Sequence, residues 1–211
     1  MILQERDYTI FREINRWRFC LSRHIKDLCG FPTERACNRR LQMLRESGYI
    51  ERKSVLYGVP RLYYLTHKAK MLINANKNQF NIRVDQINHN IAVLDTVLYF
   101  IKKDGLKLAD IKSEREIQSK DGFSERRHYP DFVFYENETS YAVEVELSLK
   151  DKARLEKNIQ KNFIGYDYQI WIIPKTDTSI RKVLSDKIKA YPNIAEIIDL
   201  ESVREYVKLV D

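Results

Sequence analysis

The chain has 211 residues, 37 of them Lys or Arg and 30 Asp or Glu, for a formal charge of +7. With 44% hydrophobic and 32% charged residues it has the apolar surface to fold, which excludes a disordered chain; 6 Gly and 5 Pro exclude a collagen-like or low-complexity one. No apolar run approaches the ~18 residues of a membrane span, and the opening Met1-Ile2-Leu3-Gln4-Glu5-Arg6 lacks the apolar core of a signal peptide, so the expected location is cytoplasmic, without a membrane.

Ile10, Ile14 and Trp17 form a helical stripe, which predicts a first helix from about Glu5 to Phe19. Ser22 is placed to cap a short second helix with Ile25, Leu28 and Cys29 on one face, and Gly30 ends it. Phe31-Pro32-Thr33 reads as a tight turn, with Thr33 capping a third helix to about Ser47. In that helix Cys37, Leu41 and Leu44 fall on one stripe, and Arg35, Asn38, Arg39, Gln42 and Glu46 fall opposite. Arg, Asn and Gln carry the donor geometry that matches purine edges in the major groove.

Next, Tyr49–Lys53 and Arg61–Leu65 alternate as strands around a turn at Tyr57-Gly58-Val59-Pro60, and Thr66 caps a closing helix with Met71 and Leu72. Helix, helix, helix, hairpin, helix is the order of a winged helix. Its expected DNA-binding residues are Arg35, Asn38, Arg39 and Gln42 on base edges, with Lys53 and Arg61 on phosphates near the hairpin tip. The alternative is a winged helix used only for protein contacts. The three cysteines, Cys20, Cys29 and Cys37, are odd in number and lack a Cys-x-x-Cys knuckle; they read as small buried thiols rather than as a metal site with His24.

An asparagine-rich stretch between about Asn74 and Asn90 marks the expected boundary, giving a first domain over 1–83 and a second over 84–211. The first carries 17 Lys/Arg against 7 Asp/Glu, the second 20 against 23, so the basic charge belongs to the first alone. A basic module fused to an acidic companion points to a polyanion partner for the first and a different partner for the second.

In the second domain Ile87, Ile91, Leu94, Val97, Leu98 and Ile101 recur at helical spacing from about Gln86 to Lys102, with His89 beside the stripe. Leu108 to Ile117 reads as a strand. Tyr129–Tyr135 and Tyr141–Leu147 read as a hairpin that carries Asp131 at one mouth and Glu144 and Glu146 on one face of the other strand. Convergent carboxylates need a divalent cation or bound protons to offset their repulsion. A helix with Leu155, Ile159 and Phe163 on its apolar side and a buried strand from Tyr168 to Ile173 complete the pattern.

Pro130-Asp131, twelve residues, then Glu144-Val145-Glu146 resembles the PD-(D/E)XK nuclease-like fold. With the winged helix-turn-helix before it, the resemblance implies an α+β chain that ends in a restriction-endonuclease-like αβββαβ domain. It also implies, if the site is active, a catalytic set of Asp131, Glu144, Glu146 and Lys150, with Mg²⁺ held by Asp131 and Glu144. Glu146 stands where such nucleases carry the water-activating lysine, and Lys150, Lys152 and Lys157 are the nearby candidates to replace it.

Over nearly its whole length the chain resembles the replication-relaxation family of plasmids and conjugative elements. The residues that carry this are Leu41-x-x-Leu44-x-x-x-Gly48-x-Ile50-x-Arg52, Gly58-x-Pro60-x-x-x-Tyr64-Leu65-Thr66, His89, Glu114 or Glu116, Pro130-Asp131 and Glu144-x-Glu146. Ala69 replaces the family's usual glycine after the Leu-Thr step. The resemblance implies a double-stranded DNA-binding accessory protein for replication or mobilisation. Its nuclease-like domain is expected to be non-catalytic and to hold a relaxase, a replication initiator or a second copy, with no cofactor needed for DNA binding. The alternatives are a Mg²⁺-dependent endonuclease and a winged-helix transcriptional regulator.

Overall fold

The structure, a computed structural model, describes residues 1–55, 57–58, 60–75, 84–121, 128–149 and 151–210. Lys150, Val59 and residues 76–83 of the expected boundary lie outside them. The chain is α+β, helix-rich at its N-terminus and then built on a five-stranded sheet, and it divides into units Met1–Leu94 and Asp95–Asp211.

In the first unit α1 (Glu5–Trp17), α2 (Ser22–Leu28) and α3 (Glu34–Glu46) precede a hairpin of β1 (Ile50–Lys53) and β2 (Leu62–Leu65), closed by α4 (His67–Leu72). Leu21, not Ser22, is the residue that caps α2, and the His24 ring nitrogen accepts the Leu21 N–H at 3.3 Å. Thr33 caps α3 as its sequence predicts, its hydroxyl oxygen accepting the Ala36 N–H at 3.1 Å. Gly30 and Gly48 take φ of 63° and 74°, the left-handed conformation that ends α2 and α3 without a Cβ clash. Cys37, Leu41 and Leu44 are buried, and Cys20 pairs with Tyr63 as a one-residue third strand beside the hairpin. Leu62 packs with Phe19, Leu21, Ile87 and Ile91. In α4 it is Ala69 and Lys70 that are buried, whereas Met71 and Leu72 face solvent.

The orientation of α3 rests on one ion pair. Asp7, wholly buried in the first turn of α1, accepts from both Arg40 Nε (2.7 Å) and Arg40 Nη2, and its Oδ2 also takes the Gln4 N–H at 2.7 Å. The Arg40 guanidinium reaches on to the Ile2 carbonyl at 3.2 Å. A planar fork on a carboxylate fixes rotation as well as distance.

α5 (Val84–Asp104) crosses the division between the units. Beyond it the sheet runs in the order β3-β4-β5-β6-β7, from β3 (Ile111–Ser113) through β4 (Phe132–Glu136), β5 (Thr139–Val145) and β6 (Tyr168–Ile173) to β7 (Ile194–Asp199). β3, β4 and β5 are antiparallel neighbours; β5, β6 and β7 are parallel ones. Helix α7 (Lys152–Gly165) links β5 to β6, and α8 (Thr178–Lys187) links β6 to β7. α9 (Leu200–Leu209) packs beside α5: Arg204 donates to the buried Asp95 at 3.3 Å, and Tyr206 meets Tyr99 edge-on at 5.4 Å.

Three expectations are corrected here. The strand expected over Leu108–Ile117 is only Ile111–Ser113 and gives way to helix α6 (Glu114–Asp121). The cause is a capping box: Glu116 Oε2 accepts the Ser113 N–H at 2.8 Å, and the Ser113 hydroxyl takes the Glu116 N–H at 3.4 Å. On α7 the buried stripe is Leu155, Asn158, Ile159 and Asn162, and Phe163 is 41% exposed against Tyr191. Finally, the αβββαβ succession is present but lengthened, by α6 between β3 and β4 and by α8, β7 and α9 after β6.

Asp7→Ala strands the Arg40 guanidinium without its carboxylate, so the unfolding free energy is expected to fall by about 3 kcal/mol. Glu5→Ala, which breaks the exposed Arg12–Glu5 pair, is expected to cost under about 1 kcal/mol. Urea unfolding of both variants checks the contrast.

Candidate functional site

Each unit brings one group of the expected residues together. In the first, α3 and the hairpin bound an open groove of about 1040 Å³ lined by Arg35, Asn38, Arg39, Gln42, Arg45, Arg52 and Arg61, with Glu34, Ser22, Pro60 and Tyr63 among its walls. The apolar stripe and Arg40 turn inward, which leaves Arg35, Asn38, Arg39 and Gln42 exposed along the outer face of α3. Register places Arg52 opposite Tyr63, on the groove side of β1. Lys53, the next residue, points to the other face. There its ammonium lies 5.0 Å from the Tyr64 ring centroid, and the Tyr64 hydroxyl donates to Glu51 at 2.5 Å.

Among the described residues none of Arg35, Arg39, Arg45, Arg52 and Arg61 has a carboxylate within ion-pair distance. Elsewhere in the unit arginines are engaged: Arg12 with Glu5, Arg16 with Glu13, Arg40 with Asp7 and Arg6 over the Phe31 ring. Arg45 and Arg52 belong to the groove although sequence reasoning did not select them. The signal was available, because Arg45 lies one turn beyond Gln42 on the polar face already assigned to α3, and Arg52 lies inside the strand that carries Lys53.

The second group forms where β4 meets β5. Register pairs Phe132 with Val143, so Asp131 stands beside Glu144 at the ladder's end. Asp131 Oδ2 accepts the Val145 N–H at 2.8 Å, and its carbonyl accepts the Glu114 N–H at 3.0 Å. Glu144 is buried, and its Oε1 meets His128 Nε2 at 2.5 Å and takes the Asn162 amide N–H at 2.9 Å. Glu146 lies just past the end of β5, half-buried, its N–H donating to the Ile172 carbonyl. His128 and Asn162 are the residues that sequence reasoning missed. They lie 16 residues before and 18 residues after Glu144, and only the fold joins them.

Burial raises the Glu144 pKa, and the neighbouring Asp131 charge adds to this; His128 and Asn162 oppose it. For His128, burial works against the charged form, yet the hydrogen bond and charge of Glu144 prevail and raise its pKa. The pair therefore holds its proton to higher pH than the separate groups do. Among the described residues no group of three or more His, Cys, Asp or Glu is arranged to hold a metal ion. Glu144, one of the two carboxylates that the nuclease resemblance assigns to Mg²⁺, is here hydrogen-bonded to an imidazole and accepts from an amide.

The three cysteines are buried free thiols, and burial is the first cause that raises their pKa, to about 12 for Cys37. Thiols so disposed are unreactive packing groups.

The His128–Glu144 pair predicts a pH dependence of stability. Both groups have raised pKa values in the folded chain, so the unfolded chain binds fewer protons and stability falls as pH rises. For His128 the stabilisation is complete below its unfolded pKa, about 6.5, and is lost as pH climbs through the folded value. The expected slope is at most about 1.4 kcal/mol per pH unit per proton. Denaturant unfolding from pH 6 to 8 should show this decline, and His128→Gln should remove the imidazole's share of it.

A family model described as replication-relaxation matches residues 11–166. No curated protein and no solved structure matches the sequence. Among the described residues no helix is long and apolar enough to cross a membrane. The match runs from the first helix through the hairpin, the carboxylate strands and α7, which covers both candidate sites, and on that extent the chain belongs to the replication-relaxation family.

Proposed function

We propose that this protein is a sequence-specific double-stranded DNA-binding accessory factor of a mobile genetic element, acting in plasmid replication or conjugative mobilisation. The observation that carries the reading is the groove between α3 and the hairpin, where five arginines lack a carboxylate partner among the described residues. Five like charges against the single acid of the lining, Glu34, raise the local potential, and a polyanion relieves it. In this reading the first unit is a winged helix. α3 enters the major groove with Arg35, Asn38, Arg39 and Gln42 on base edges, while Arg45, Arg52 and Arg61 hold phosphates and Lys53 adds a weaker contact from the outer face of the wing.

The second unit serves as a non-catalytic nuclease-like platform for a relaxase, a replication initiator or a second copy of the chain. Support comes from how its carboxylates are used: Glu144 is engaged by His128 and Asn162, and Asp131 by the Val145 N–H. Glu146 adds negative charge where a nuclease needs a positive one.

Two measurements on the full chain test this. Arg39→Ala should lose ~1–3 kcal/mol on the preferred duplex with relaxed specificity, and Arg52→Ala and Arg61→Ala should each lower the salt dependence of binding by about one unit of slope. Incubation with supercoiled plasmid, with and without Mg²⁺, should give binding and no nicking. Mg²⁺-dependent nicking that vanishes in Asp131→Ala overturns the non-catalytic reading and makes the chain an endonuclease.

A further inference from the structure

We propose that Gln42 reads an adenine in the bound duplex, and that Glu46 is the positioning residue that makes this reading selective. The inference rests on the DNA-binding reading of α3 and specifies one base that the helix requires.

Gln42 and Glu46 are both exposed, one helical turn apart, and the Gln42 amide nitrogen donates to Glu46 Oε1 at 2.8 Å. Only the NH₂ side of an amide can face a carboxylate, so this contact fixes which way the amide points. Having given one N–H to Glu46, Gln42 keeps one N–H and its carbonyl oxygen. A donor and an acceptor side by side match adenine, whose major-groove edge offers N7 to accept and N6 to donate. Guanine offers two acceptors, N7 and O6. A free glutamine can turn both N–H groups toward them, but one held by Glu46 cannot. Glu46 therefore acts by removing an alternative.

The placement of Glu46 supports a specific role. It sits in the last turn of α3, where the helix dipole disfavours a negative side chain. It also stands beside a groove rich in guanidinium groups, yet among the described residues no cation lies within ion-pair distance of it. Its hydrogen bond goes to the amide instead. An acid at this position weakens the attraction for phosphates, which a purely electrostatic DNA-binding surface would not carry.

The test is selection from a randomised duplex pool with the full-length protein, followed by sequencing, for the wild type, Gln42→Ala, Glu46→Ala and Glu46→Gln. The wild type is expected to enrich adenine at one position by roughly tenfold over the other bases. Gln42→Ala should flatten that position and no other. Glu46→Ala should broaden it to adenine and guanine, while Glu46→Gln, which keeps an acceptor oxygen, should retain adenine. A wild type that enriches no sequence overturns the DNA-binding reading itself. A wild type that enriches a site whose every position survives Gln42→Ala, or in which the position lost was not adenine, overturns this inference and leaves the DNA-binding reading standing.

Discussion

The geometry of the first unit depends on the Asp7–Arg40 pair. The stripe of Cys37, Leu41 and Leu44 tells α3 which face to bury, but apolar contacts are non-directional and tolerate sliding and some rotation. The bidentate fork does not. Successive helical residues are 100° apart, so fixing Arg40 inward also fixes Arg39 and Gln42 on the outside. A buried ion pair offers little net stability over apolar residues of the same shape, because desolvation offsets most of the attraction. Its contribution here is directional: it aims the helix.

The same residue type then serves two opposite ends. Arg12, Arg16 and Arg40 are matched with acids, and Arg6 lies over an aromatic face 4.8 Å from its centroid. The five groove arginines have no such match among the described residues, and their mutual repulsion works against the folded state. Stability is withheld at this surface, while the other arginines named here are matched within the unit. The hairpin brings Arg52 and Arg61 to that face because Arg52 and Tyr63 share a register pair, and the Cys20–Tyr63 bridge pins the hairpin to the segment between α1 and α2.

Much of this was legible in the sequence because it is local. The caps at Thr33 and Thr66 and the glycine that ends α2 all act within a few residues. So does the alternation of the two faces of α3. The run Tyr168–Ile173, buried beyond its first residue, had no competing reading. The start of α6 reads as strand because charges mask its period, although Ser113-Glu114-Arg115-Glu116 spells a capping box. What no local pattern carries is the partnership of His128, Glu144 and Asn162, which depends on β5 and α7 packing against each other and on the chain before Asp131 returning to the same point.

Helix α7 shows how such a site still leaves a trace. Its buried positions are 155, 158, 159 and 162, the i, i+3, i+4, i+7 spacing of a core-facing helix. Two of the four are asparagines, and the large apolar residue next to the last, Phe163, is turned outward. Burying an amide costs free energy unless its hydrogen bonds are made, so a polar residue at a core position calls for a buried partner elsewhere in the chain. For Asn162 that partner is the Glu144 carboxylate, itself buried and in need of donors. Asn162 and Glu144 each break the apolar pattern of their own element, and each supplies what the other lacks. The stripe that predicts Phe163 as core fails by one residue because the sheet opposite presents an acid, and the helix rotates an amide to meet it.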